Sequence, residues 1–112
     1  MWRKNFLKMV ELQDKSKKLA DVVISFFAEK KGIDVAKVHT RNRILGYIWY
    51  IVHYTYNEPI SKIMRDYGVT RCWVFRIISR TKYRISNCKV EIQEFVELTE
   101  YLQNQGLYPI YE

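Results

Sequence analysis

Residues 44–52 carry no charge and place Ile44, Leu45, Ile48, Trp49, Ile51 and Val52 on nearly every side of a helix. Such a helix needs apolar neighbours all round, so the pattern predicts a central helix over about 41–56 with others packed on it. Leu19, Val22, Val23, Phe26 and Phe27 supply one neighbouring stripe, which stops at Gly32 in the C-cap position. Trp2, Phe6, Met9 and Val10 supply another, with Arg3, Lys4, Lys8 and Glu11 on its other faces. Asp34 predicts a single helical turn over 34–38 as its N-cap. A last stripe, Val90, Phe95, Val96, Leu98 and Leu102, predicts a helix over about 89–105, capped by Ser86 or Asn87.

No strand alternation, Asn-Gly or Asp-Gly hairpin turn or internal repeat competes with this pattern. The expected architecture is all-α, a compact helical bundle of five to seven helices in one domain. Within it, 1–15 forms an N-terminal helical extension, 17–85 a core, 87–105 an acidic helix and 106–112 a tail. A chain of 112 residues, 48% of them hydrophobic, can bury such a core without disulfides or metals. Only four glycines and two prolines argue against disorder.

Charge is unevenly placed. Lysine and arginine exceed aspartate and glutamate by 19 to 12, a net +7. Residues 62–89 hold eight cations against one acid, Asp66, and so match the whole net charge. Beyond them, Glu91, Glu94, Glu97, Glu100 and Glu112 meet no lysine or arginine. A solvated helix face and an anion-binding face both produce such a basic block; its position favours the second.

That position is a pair of short helices. Pro59 suits the first turn of a helix that runs to Tyr67 and stops at Gly68, which takes a left-handed conformation cheaply. Thr70 is a good N-cap for the next helix, from Arg71 to about Arg80. Ile63, Tyr67, Val69, Val74 and Ile77 or Ile78 fall where a helix-turn-helix buries side chains. The second helix then turns Arg71, Cys72, Phe75, Arg76, Ser79 and Arg80 outward. In a major groove, its start would offer Thr70, Arg71, Cys72, Trp73, Phe75 and Arg76 to base edges, Arg71 suiting a bidentate contact to guanine. Lys62, Arg65, Ser79, Arg80, Lys82 and Arg84 would hold phosphates.

Residues 22–78 resemble the C-terminal DNA-binding domain of DnaA-type replication initiators, a Trp-repressor-like helix-turn-helix fold. The matching pieces are Val23 to Phe27, Gly32-Ile33-Asp34-Val35, Arg43-Ile44-Leu45-Gly46-Tyr47-Ile48, and Pro59-Ile60-Ser61-Lys62-Ile63 with Tyr67-Gly68. About half the chain is covered. Where the family opens its recognition helix with Asp-His-Thr-Thr-Val, this chain has Thr70-Arg71-Cys72-Trp73-Val74 and keeps only the core valine. The resemblance therefore implies base reading from Thr70 to Trp73 on a different target sequence. It also implies a minor-groove arginine from a basic loop, shortened here to 38–42, with Arg41 the surviving candidate. No phosphate-binding Gly-x-x-x-x-Gly-Lys loop is present, so a free-standing domain, of the sort phages and mobile elements carry, is expected rather than an initiator.

Other chemistry finds no support in the spacing. His39 and His53 lack further ligands at metal spacing, and no serine or cysteine has a base and an orienting partner. No metal, cofactor, catalysis or small-molecule substrate is expected. Cys72 and Cys88 are too few for a disulfide framework, and Cys72 is expected to pack as a small apolar residue. Trp73 either packs under the basic face or touches the bases. No run approaches the roughly 18 apolar residues of a membrane span, and charge interrupts the N-terminus before a signal-peptide core develops. The expected setting is cytoplasmic and nucleoid-associated.

Three functions fit. The first is a sequence-specific double-stranded DNA-binding protein, regulating transcription or replication, possible as a homodimer on paired half-sites. A protein-interaction module, such as a phage product that captures a host factor, would instead use the acidic helix or the tail 107–111 as its contact. In a DNA-binding protein the acidic helix would either pair with the basic block, shielding DNA, or hold a second copy. An interfacial membrane protein would use Trp2 to Val10.

Overall fold

A computed structural model describes residues 16–109, and every regular element among them is helical. Helix α1 is described from residue 16, is α-helical to 25 and ends in a π-helical turn, Phe26–Lys30. Helix α2, Val38–Tyr50, also runs into a π-helical turn, Ile51–Thr55. Then follow α3, Ile60–Tyr67; α4, Arg71–Asn87; and α5, Lys89–Asn104. The architecture is an all-α bundle of five helices among the described residues. The extension over 1–15 and the last three residues of the tail lie outside them.

Burial follows the apolar stripes. Leu19, Val23, Phe26 and Phe27 of α1 are buried, as are Ile44, Ile48, Trp49, Ile51 and Val52 along α2 and its π turn. Stacked rings bind three helices together: Phe27 lies on Tyr47 with centroids 5.6 Å apart, and Tyr47 on Phe95 at 5.8 Å. Each buried ring removes a large apolar area from water, with an added preference for offset or edge geometry. Leu98, Leu102 and Leu107 close the core from the C-terminal side.

Between α3 and α4 the chain turns within Gly68-Val69-Thr70. Gly68 adopts φ +65°, and the Val69 N–H donates to the Met64 carbonyl at 3.2 Å. Thr70 is extended and its Oγ1 accepts from the Trp73 N–H at 3.3 Å, capping α4 as its sequence position predicts.

Several boundaries differ from the sequence expectation. The 34–38 segment is a turn, with Asp34 Oδ1 accepting from the Ala36 N–H at 3.0 Å, and α2 starts at Val38. Pro59 takes the N-cap position of α3, one residue before the expected first turn. Helix α4 continues past Arg80 to Asn87 because nothing in 81–87 breaks it. A single extended residue, Cys88, separates it from α5. Ser86 and Asn87 therefore do not cap α5; their side chains bond back to the Lys82 and Tyr83 carbonyls. Val90 and Val96 are exposed, at 79% and 41%, since α5 turns Glu94, Leu98 and Leu102 inward instead. Tyr67 is likewise 41% exposed, with one ring edge on Trp49.

Candidate nucleic-acid interface

Helix α4 advances about 100° per residue, which sorts its side chains into a floor, a crest and two flanks. Val74, Ile77, Ile78 and Thr81 form the buried floor. Opposite them, Cys72, Arg76, Ser79 and Tyr83 form an exposed crest. Arg71, Phe75 and Lys82 lie on the flank toward α3 and the π turn after α2. Arg80 and Arg84 lie on the other, toward the start of α2. Cys72 is thus a surface thiol, not a packing residue, because its place on the helix is opposite the floor. Trp73 is half-buried and packs against the core. Arg71, Phe75, Arg76, Ser79 and Arg80 are exposed as the periodicity predicts.

The cations of α4 stand unneutralised. Arg71, Arg76, Arg80, Lys82 and Arg84 have no ion-pair partner among the described residues. Two of them rest on rings: the Arg71 guanidinium is 5.4 Å from the Phe75 centroid, and Lys82 Nζ is 5.4 Å from that of Tyr54.

The acidic helix spends its charge elsewhere, so of its two possible roles the pairing with the basic block does not occur among the described residues. Glu94 accepts from the Arg43 guanidinium and from the Tyr47 hydroxyl at 2.8 Å, Glu91 lies 3.9 Å from Arg43, and Glu97 meets Lys31. Glu91 and Glu94 share the inward i, i+3, i+7 stripe with Leu98, which carries them to α2. Burial, helped by the Glu94 carboxylate, pushes the Tyr47 hydroxyl well above its ordinary range. The Lys31 ammonium holds the Glu97 carboxyl below the usual carboxylate range.

Not every predicted phosphate contact gathers at α4. Lys62 Nζ pairs with Asp66 at 3.0 Å and, with Asp66, lines a cleft against Ser16, Asp21 and Trp49 of α1 and α2. Arg65 is exposed on α3. Arg41 belongs to no loop: it sits in the first turn of α2 and lines a small cleft with Ile24, Val35 and Leu45, away from α4. Helical spacing instead brings His39 and Asn42 beside Arg80 and Arg84, around a cleft of about 150 Å³. Sequence reasoning missed both residues, and only their i, i+3 spacing on the α2 stripe that holds Arg43 and Gly46 hinted at a shared face.

Among the described residues no helix is long and apolar enough to cross a membrane. No protein-family model, curated protein or solved structure matches this chain.

Proposed function

We propose that this chain binds double-stranded DNA, with α3 and α4 acting as a helix-turn-helix and α4 lying in the major groove. The observation that carries this reading is the unneutralised cation set on both flanks of one exposed helix. A major groove about 12 Å wide admits a helix with base edges at its crest and a phosphate backbone on either side. Lys82 suits one backbone, Arg80 and Arg84 the other. From Arg71 to Arg84 the helix extends about 20 Å, enough for several phosphates on each strand. Thr70, Arg71, Cys72 and Arg76, near its N-terminal end, are the base-reading candidates, while Ser79 and Arg65 add backbone contacts. The resemblance to the DnaA-type domain supports the same reading, with a target sequence of this chain's own and a place on the nucleoid.

Selection from a random duplex pool at two salt concentrations tests it, using wild type and an Arg71→Ala/Arg76→Ala double variant. An enriched motif that the variant loses is the expected result. Weak, salt-sensitive binding without a motif would reduce α4 to a generic basic face and sink sequence-specific reading.

A second reading, a homodimer through α5, is favoured by Ile92 and Val96. They stand one helical turn apart and are 37% and 41% exposed. Paired copies would read paired half-sites. Light scattering on wild type and Val96→Glu separates the two states; a monomeric wild type removes this reading.

A further inference from the structure

The flank of α4 facing the π turn carries more than phosphate contacts need. A groove of about 430 Å³ runs there between α4, the start of α3 and the end of α2. Buried Ile60 and Ile78 form its floor, and its walls are three exposed rings, Tyr54, Phe75 and Tyr83 (47%, 45% and 67%). Tyr54 is held in place: Tyr50 and His53 lie 4.9 Å from it, and His53 Nδ1 is bonded to the Glu58 carbonyl at 2.8 Å. The extra residue of the π turn Ile51–Thr55 rotates this end of α2 relative to an ordinary helix, a device common at functional sites. Across the crest, the cleft of His39, Asn42, Arg43, Arg80 and Arg84 has no exposed tyrosine or phenylalanine on its walls.

A fully paired duplex offers the same phosphate rail on both sides of its groove, and its base faces are hidden in the stack. It therefore asks for similar chemistry on both flanks. Three rings, two of them with Lys82 or Arg71 laid over the face, suit a ligand that shows a π-face next to a phosphate, which an unpaired nucleotide does. We propose that the Tyr54–Phe75–Tyr83 groove stacks an unpaired base, so that the protein binds strand-opened DNA more tightly than the same DNA fully paired. This rests on α4 being the nucleic-acid face. Stacking would tolerate any base, while Lys82 holds the adjoining phosphate.

Fluorescence anisotropy of the full chain tests it at one fixed salt concentration. The probes are a paired duplex, the same duplex with a short central run of mismatched thymines, and single-stranded oligo-dT. Wild type should bind the mismatched duplex about tenfold more tightly than the paired one. Tyr54→Leu keeps apolar bulk but removes the ring contributed by the π turn, off the crest of α4; it should abolish that preference and leave paired-duplex binding unchanged. Phe75→Leu serves as an independent second variant, and Arg76→Ala/Arg80→Ala should weaken all three probes together. Equal wild-type affinity for the two duplexes, or a preference that survives the leucines, overturns the groove proposal alone. A wild type that binds no probe overturns the DNA reading and the groove with it.

Discussion

A Cβ placed on Gly46 would lie 2.1 Å from Thr81 Oγ1, so α2 and α4 meet at a point where only hydrogen fits. Thr81 is buried, and its hydroxyl donates to the Ile77 carbonyl at 3.0 Å. This contact sets how α4 rolls against α2, and hence which residues form its crest. Gly46→Ala should cost about 1–3 kcal/mol through overpacking, despite the better helix propensity of alanine. In the double variant with Thr81→Ala, the nearest remaining atoms are the Thr81 Cβ at 3.4 Å and Ile77 Cγ2 at 3.5 Å, close to ordinary contact. Chemical denaturation of the four proteins in a double-mutant cycle should show a favourable coupling of about 1–3 kcal/mol. Additive losses would mean that the clash relaxes elsewhere.

Glu94 is buried on α5 and serves Arg43 and Tyr47, which sit one turn apart on α2. Removing the carboxylate would strand a guanidinium and a hydroxyl together. Glu94→Ala should therefore lower unfolding stability by about 2–3 kcal/mol, less than for a fully enclosed pair because Arg43 keeps 33% of its side chain in water. Glu94→Gln retains an acceptor and should cost less. A urea midpoint unchanged in both variants would show the pair to be dispensable.

The outward face of α4 up to Arg80 was legible in the sequence because its signals are local. Gly68 and Thr70 fix the turn, and Val74, Ile77 and Ile78 fix the floor, so Arg71, Phe75, Arg76, Ser79 and Arg80 had to face out. What stands beside the crest was not legible. His39, Asn42 and Tyr54 arrive from α2 and its π turn, by way of a helix contact that depends on Gly46 and Thr81, 35 residues apart in sequence. In α5, counting apolar residues misplaced Val90 and Val96. Two carboxylates share the inward stripe there, and their burial makes sense only once Arg43 and Tyr47 are seen opposite. The Arg41 loop failed for a plainer reason: α2 starts three residues earlier than its apolar pattern suggests, at Val38.

Alkaline pH should expose the buried tyrosines. Burial pushes the Tyr56 hydroxyl, which donates to the Leu107 carbonyl, up to about 12. Tyr47 is raised further, by burial and then by Glu94. In the unfolded chain both lose their protons near pH 10, as free tyrosines do. Between pH 10 and 12 the unfolded state thus binds fewer protons than the folded one, and stability falls as pH rises; below pH 10 the contribution is fully present. Denaturation midpoints followed across this window should fall less steeply for Tyr56→Phe and Tyr47→Phe than for wild type. Parallel curves would mean that these hydroxyls ionise alike in both states.

Salt dependence separates cations that reach DNA from those that do not. Each neutralised phosphate steepens the fall of log affinity with log salt concentration by about 0.9. Arg80→Ala and Arg84→Ala should each flatten that slope by about one and weaken all duplexes alike, as backbone contacts do. Arg71→Ala should instead cost about 1–3 kcal/mol on the selected site and relax preference at one base pair. Lys62→Ala should leave the slope unchanged, since its ammonium is held by Asp66 in the cleft against α1 with only 12% of the side chain exposed. A slope that flattens for Lys62 and not for Arg84 would move the DNA off the crest of α4 and toward α3.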